Sequence, residues 1–266
     1  MLSLAALSAM TITAGGAAMR PAISATASNA SNASNATTAS DAVHASSAPS
    51  AASGAAAADK APDTIAARVQ GCATCHGPAG EGTSDTNFPR IAGKPSGYLF
   101  NQLQNFRNGH RSYPPMNYLL QYLHDDYFKE MADFFATQRI PFAPPERPTL
   151  SAGELRLGEQ LARRGDPAHA IPACVSCHGP QFTGINPGIP GLLGLRSRYI
   201  SGQIEAWRSG TRRAKAPDCM YDIATRLTEA QITQVAAWLA MQPASENAQP
   251  AAQGSWKTTV SCGSQP

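Results

Sequence analysis

The sequence predicts an all-α protein made of two tandem small domains related by internal duplication. Three observations carry that expectation. The pentapeptide Cys-x-x-Cys-His occurs at Cys72–His76 and again at Cys174–His178, 102 residues further on. Beyond each copy, apolar residues recur in matching order at helical spacing. Neither half shows a convincing strand pattern.

The elements follow in chain order. Leu2 to Ile12 is a short, mostly apolar run, and Ala25-Thr26-Ala27 offers small residues for cleavage, so 1–27 reads as an export signal. No Lys or Arg precedes Arg20, which departs from the usual pattern, and an uncleaved membrane anchor is the competing reading. Residues 28–60 are rich in Ala, Ser and Asn and poor in large apolar side chains, as expected of a disordered leader. The first domain is expected over 61–140 and the second over 150–243. A stiff Pro-rich linker (141–149) joins them, and a tail (244–266) follows. A formal net charge of +3 with 15% charged residues gives no ground for a nucleic-acid partner.

Each domain is expected to hold three helices. The first covers Thr64 to Gln70, matched by Ala152 to Arg164. The second carries Tyr98-Leu99-x-x-Gln102-Leu103-x-x-Phe106-Arg107-x-Gly109, matched by Tyr199-Ile200-x-x-Gln203-Ile204-x-x-Trp207-Arg208-x-Gly210. Gly closes both copies, as a helix end requires. The third helix covers Asp125 to Thr137, matched by Thr228 to Met241.

The repeated pentapeptide carries the chemistry. Its two thiols are spaced to add to the vinyl groups of a haem, and the adjacent histidine to ligate the iron. Cys72, Cys75, Cys174 and Cys177 are therefore expected to hold two haem c groups, with His76 and His178 as iron ligands. A sixth ligand is expected from Met116 and Met220. They follow those histidines by 40 and 42 residues, and each stands seven residues before a leucine, in loops containing proline. A lone Met is more often core filler, but two at equivalent duplicated positions favour ligation. A four-cysteine zinc site is the rival. It would leave both histidines and both methionines without a role.

Together these features resemble the class I cytochromes c and, as a tandem, the di-haem cytochromes of the c4 type. The likeness runs from about residue 64 to 240. It rests on Cys-x-x-Cys-His-Gly, on Pro89-x-Ile91-x-Gly93 repeated as Pro190-x-Leu192-x-Gly194, on the Tyr-x-x-x-Gln helix and on the Met-to-Leu segment. The resemblance implies two all-helical domains about a pseudo-twofold axis, with haem propionates near their interface. It also implies that Pro89 and Pro190 offer carbonyls to His76 and His178. A cluster of basic residues, Arg107, Arg111, Arg208, Arg212, Arg213 and Lys215, gathers at the ends of the repeated helices. Solvated surface and steering of an acidic redox partner are the alternatives for such charges, and within the cluster Arg107 and Arg208 are the favoured propionate contacts, because the duplication preserves them.

Two cysteines remain, Cys219 and Cys262. Spare thiols in an exported protein commonly pair, so a bond strapping the tail across the second Met segment is expected; unpaired thiols, or intermolecular pairing through the tail, are the alternatives. The functional expectation is a periplasmic di-haem carrier of single electrons between redox proteins such as a terminal oxidase, a respiratory complex or a dehydrogenase. Membrane association through the N-terminus or a partner is retained as an option. A cytochrome subunit of a dehydrogenase complex is the first alternative, and a di-haem peroxidase with one open iron the second.

Overall fold

The structure, a computed structural model, describes residues 63–245, 248–258 and 260–265. The signal and leader expected over 1–27 and 28–60 lie outside the described residues. No helix among the described residues is long and apolar enough to cross a membrane.

The first half comprises α1 (Ile65–Arg68), α2 (Gln70–His76), α3 (Ser96–Arg107), α4 (Pro114–Leu120) and α5 (Asp125–Thr137). Its core forms where α3 packs on α5. Phe128, Met131, Ala132 and Phe135 fall on one face of α5 and are buried against Leu99, Phe106 and Leu120. Asp125 and Asp126 occupy the first turn of α5, where the helix dipole favours negative charge.

The second half repeats the plan with α6 (Ala152–Arg164), α7 (Val175–His178), α8 (Ser197–Arg208), α9 (Cys219–Ala224) and α10 (Glu229–Ala240). Reciprocal caps start two of these helices: Ser151 with Glu154 on α6, and Thr228 with Gln231 on α10. The buried centre is α10 lying across α6 and α8. Gly158 permits the close crossing, because a Cβ there would lie 2.2 Å from the Gln234 carbonyl oxygen.

Three local features depart from the sequence expectation. A single helix from Thr64 to Gln70 is instead two, broken at Val69, and α2 carries the first Cys-x-x-Cys-His on its own turns. Both Met segments form short helices rather than loops. Pro114 and Pro115 open α4, where the missing N–H groups carry no penalty, and Asp218 caps α9. Strands are also present: β1 (Gly184–Ile185) and β2 (Ile189–Pro190) pair antiparallel. Two-residue strands are too short to leave an alternating pattern.

The halves meet along their equivalent segments. Arg111 and Arg212 form an antiparallel bridge, flanked by Ser112 N–H to Thr211 O (3.0 Å) and Arg213 N–H to His110 O (2.7 Å). Equivalent residues meeting each other is what a twofold relation between two copies produces. The linker folds back on this joint. The Arg90 guanidinium donates to Ile140 O and Pro141 O at 2.7 and 2.8 Å and stacks 4.0 Å from the Phe142 ring.

Candidate haem sites

In each half the pentapeptide ends a helix, so its thiols and imidazole project from successive turns. Cys72 and Cys75 lie on α2, with His76 as its last residue; Cys177 and His178 lie on α7, with Cys174 at its N-cap. Glycine follows each histidine at positive φ, +86° for Gly77 and +83° for Gly179. This lets the chain leave sharply and return to cover the ring.

The returning loop fixes the imidazole. His76 Nδ1–H donates to Pro89 O at 2.9 Å, and His178 Nδ1–H donates to Pro190 O at 2.8 Å. A carbonyl can only accept, so the proton resides on Nδ1 and the Nε2 lone pair of each ring is left for a metal. Burial pulls both imidazole pKa values below the usual range; the bonds to Pro89 and Pro190 oppose this, and Arg111 (for His76) and Lys94 (for His178) reinforce it. Both are thereby kept neutral, as a metal ligand must be.

One cavity of about 610 Å³ runs through both halves. Its walls include the four Cys-x-x-Cys thiols, His76, His178, Met116 on α4 and Met220 on α9. Neither cysteine pair forms a disulfide. Burial pushes the Cys72 and Cys177 thiols up and that of Cys174 up to about 12. Conversion to thioethers would remove an ionisable group from an apolar wall.

Two further observations fit a group with an apolar body and anionic tails. The Trp207 indole N–H is buried in the cavity wall without a hydrogen-bond partner among the described residues. Arg111 and Arg212 are buried side by side on that wall, and among the described residues neither makes an ion pair with a carboxylate. Their donors go to Gln102, Gln203, Tyr98 and Tyr199, all uncharged. Two adjacent buried cations with no anion form a site that a pair of carboxylates would neutralise.

The expected contacts Arg107 and Arg208 do not line the cavity. Arg107 pairs with Asp125 at 2.8 Å and donates to Leu123 O, while Arg208 pairs with Glu205 on its own helix. Each is the last residue of its helix, and these partners hold it away from the cavity. The inward pair is Arg111 and Arg212, equally preserved by duplication but placed after the helix-ending Gly109 and Gly210, where the chain turns back to the joint. Their position relative to those glycines was the signal.

Lys94 is a second cation that the sequence reading did not single out. It is buried and donates across the joint to Gly191 O, next to the Pro190 carbonyl that holds His178. Burial, reinforced by Arg90, pulls its ammonium down to about 7. Its counterpart in the second half is Leu195, so duplication gave no hint of it. Cys219 and Cys262 form a disulfide, with Cα atoms 5.6 Å apart.

Fold and site together define a tandem haem-binding protein of the c type. Residues 51–133 and 158–242 each match the family model for cytochrome c, and the chain belongs to the cytochrome c family. It carries two covalently attached haem c groups, one at Cys72 and Cys75 and one at Cys174 and Cys177. Among curated proteins it is similar to the thiosulfate dehydrogenase electron acceptor of Thiomonas intermedia, with 37% identity covering 70% of this chain and 86% of that protein. It is also similar to cytochrome c4 of Pseudomonas aeruginosa, with 33% identity covering 69% and 88%. Among solved structures, reduced cytochrome c4 from Pseudomonas stutzeri superposes with a TM-score of 0.59. Identity to it is 27%, covering 66% of this chain and 96% of that one.

Proposed function

We propose that this di-haem, cytochrome c4-like protein is an exported carrier that takes single electrons from a dehydrogenase and hands them to a respiratory acceptor, with both irons ligated by histidine and methionine. The observation that carries the reading is the placing of Met116 and Met220. Both line the haem cavity, each on a helix separate from the one bearing its histidine.

When bound, haem supplies a one-electron ferric/ferrous couple, and a thioether as sixth ligand favours the reduced state and raises the potential. The protein's residues supply the rest. Pro89 and Pro190 orient the imidazoles and set their donor strength. The two arginines offer positive charge at the joint between the halves, and the apolar walls keep water out. Ligation by His76 and Met116 and by His178 and Met220 would leave no open position for substrate at either iron, which would favour a carrier over the peroxidase reading.

The donor is inferred from the relative named as the electron acceptor of thiosulfate dehydrogenase. A thiosulfate-oxidising or chemically similar dehydrogenase is therefore the proposed partner, with a terminal oxidase or respiratory complex downstream. Haem c together with a disulfide suits the periplasm.

Absorption spectroscopy of the ferric holoprotein tests the ligation. The weak far-red Met-to-iron band should have an intensity that counts two haems, and Met116→Ala and Met220→Ala should each remove half of it. A high-spin ferric spectrum with rapid peroxide turnover would overturn the reading in favour of the enzyme.

A further inference from the structure

The tail beyond α10 takes a course with no counterpart in the first half, where the chain instead leaves α5 for the linker. It first joins the ribbon behind the second pentapeptide: Ala251 N–H donates to Gly184 O and Asn186 N–H to Ala251 O, both at 2.9 Å. Next, the Trp256 indole N–H donates to Ser176 O at 3.1 Å, between the haem-binding Cys174 and Cys177. Further on, Cys262 is bonded to Cys219 and Gly263 N–H donates to Pro217 O at 2.9 Å, beside Met220, before Ser264 packs against Gly188. Cys262, Ser264 and Gln265 are themselves cavity-lining residues.

The tail thus spans from the histidine side of the second crevice to its methionine side, and its anchor is the residue immediately before Met220. In the first half that place belongs to Pro115, which with Pro114 stiffens the start of α4. The second copy lacks the proline pair and has a covalent tether at the same position. The first half's Met helix is also the more open one: Tyr118 and Leu119 on it and Tyr122 just after it are 78%, 49% and 83% exposed, against 44% for Tyr221 on α9.

From this we infer that the tail is a strap closing the second haem crevice, with Cys219 and Cys262 acting as positioning residues that hold the start of α9 and so keep Met220 at its iron. The inference rests on methionine ligation at the second haem. By substituting for proline stiffness, the disulfide limits how far α9 can swing away from the cavity, and Trp256 fixes the strap midway.

Carbon monoxide binding to the ferrous holoprotein tests this, because the gas takes the sixth position only when methionine leaves. Wild type should exclude it at both haems. Cys219→Ser with Cys262→Ser should admit it at one, shifting half of the Soret amplitude, and should lower the pH at which half of the far-red ferric band is lost. Should that variant fail to mature, the wild-type holoprotein is treated with dithiothreitol. This breaks the S–S bond into two thiols as the reagent closes to its cyclic disulfide, and the same half-amplitude shift is expected. If the strap is open yet CO is excluded and the two-haem band persists, the strap inference is overturned while methionine ligation stands. A wild-type protein lacking the two-haem band, or binding CO freely, overturns the ligation reading itself. Trp256→Phe keeps the disulfide and should give a smaller fraction of CO-accessible second haem than the double variant; a larger one would contradict the anchor at Cys219.

Discussion

Arg111 and Arg212 face each other across the joint between the two halves, and each sends its guanidinium to the opposite copy. Arg111 donates to Gln203 Oε1 at 2.7 Å and Arg212 to Gln102 Oε1 at 2.9 Å, and Arg212 stacks 3.8 Å from the Trp207 ring. Burial and the neighbouring Arg111 both push the Arg212 guanidinium's pKa down, yet the group stays charged. The joint therefore concentrates positive charge where both crevices converge.

Removing one of these charges should lower a haem potential. A unit charge ~10 Å away at an effective dielectric of ~20 is worth about 1.5 kcal/mol, which is tens of millivolts for a one-electron couple. Spectroelectrochemical titration of Arg212→Gln should show at least one midpoint displaced downward by that order. Unchanged midpoints at both haems would count against the arginines as propionate partners. Arg208→Gln, on an exposed pair with Glu205, serves as the control and should leave both unmoved.

The α6–α10 crossing depends on a missing side chain. Gly158→Ala would place a methyl 2.2 Å from Gln234 O, a backbone atom that cannot swing aside. Separating the helices should cost about 2–3 kcal/mol, seen as a fall in Tm of roughly 5–10 °C for a chain of this size. Calorimetry of the holoprotein checks it. Gly153→Ala, at a helical position away from the cavity where a Cβ would meet only Ser151 Oγ at 3.8 Å and the Arg156 guanidinium at 3.9 Å, should leave Tm unchanged or slightly raised.

The first core is centred on Phe128, which is wholly buried and stacked beneath Arg107 at 4.9 Å. Phe128→Ala should destabilise by about 3–5 kcal/mol. Denaturant unfolding followed at the first haem should report the loss. A change below ~1 kcal/mol would contradict the packing described for α5.

Acid sensitivity should arise partly at Asp166. Its carboxylate accepts from His169 Nδ1–H at 2.7 Å and from Gln231 Nε2–H at 3.1 Å, and the hydrogen bond from His169 is the main reason its pKa lies below the usual range. A depressed carboxylate contributes stability that is present above its unfolded pKa of about 3.9 and is lost as pH falls through the lower folded value. The Tm advantage of wild type over Asp166→Asn should accordingly be constant above about pH 5 and vanish in strong acid. An advantage that grows on acidification would refute this sign.

The long helices were legible because each carries its own signals. The buried face of α5 recurs at helical spacing, and the Ser151 and Thr228 caps announce α6 and α10. The haem-binding thiols and histidines were legible because covalent attachment and ligation need adjacent groups, which sequence displays directly. Choosing among the repeated arginines was not possible on those terms. Arg107 and Arg111 are equally preserved by the duplication, and the turn after Gly109 decides which of them reaches the joint. The short β-ribbon and the helices at Met116 and Met220 were missed for a related reason: elements of two to seven residues are held by their neighbours rather than by their own pattern.

The sequence by itself determined that the chain is duplicated, that each copy attaches haem, and that Cys219 and Cys262 were left to pair. All three follow from residue identity and spacing along one strand of chain. Only the tertiary structure decided what crosses between the copies: Arg111 and Arg212 bonding into opposite halves, and Lys94 reaching Gly191. Those contacts join residues tens of positions apart, and their partners are set by how the two halves dock. No local pattern encodes that docking, because its hydrogen bonds and apolar contacts join residues far apart in the chain.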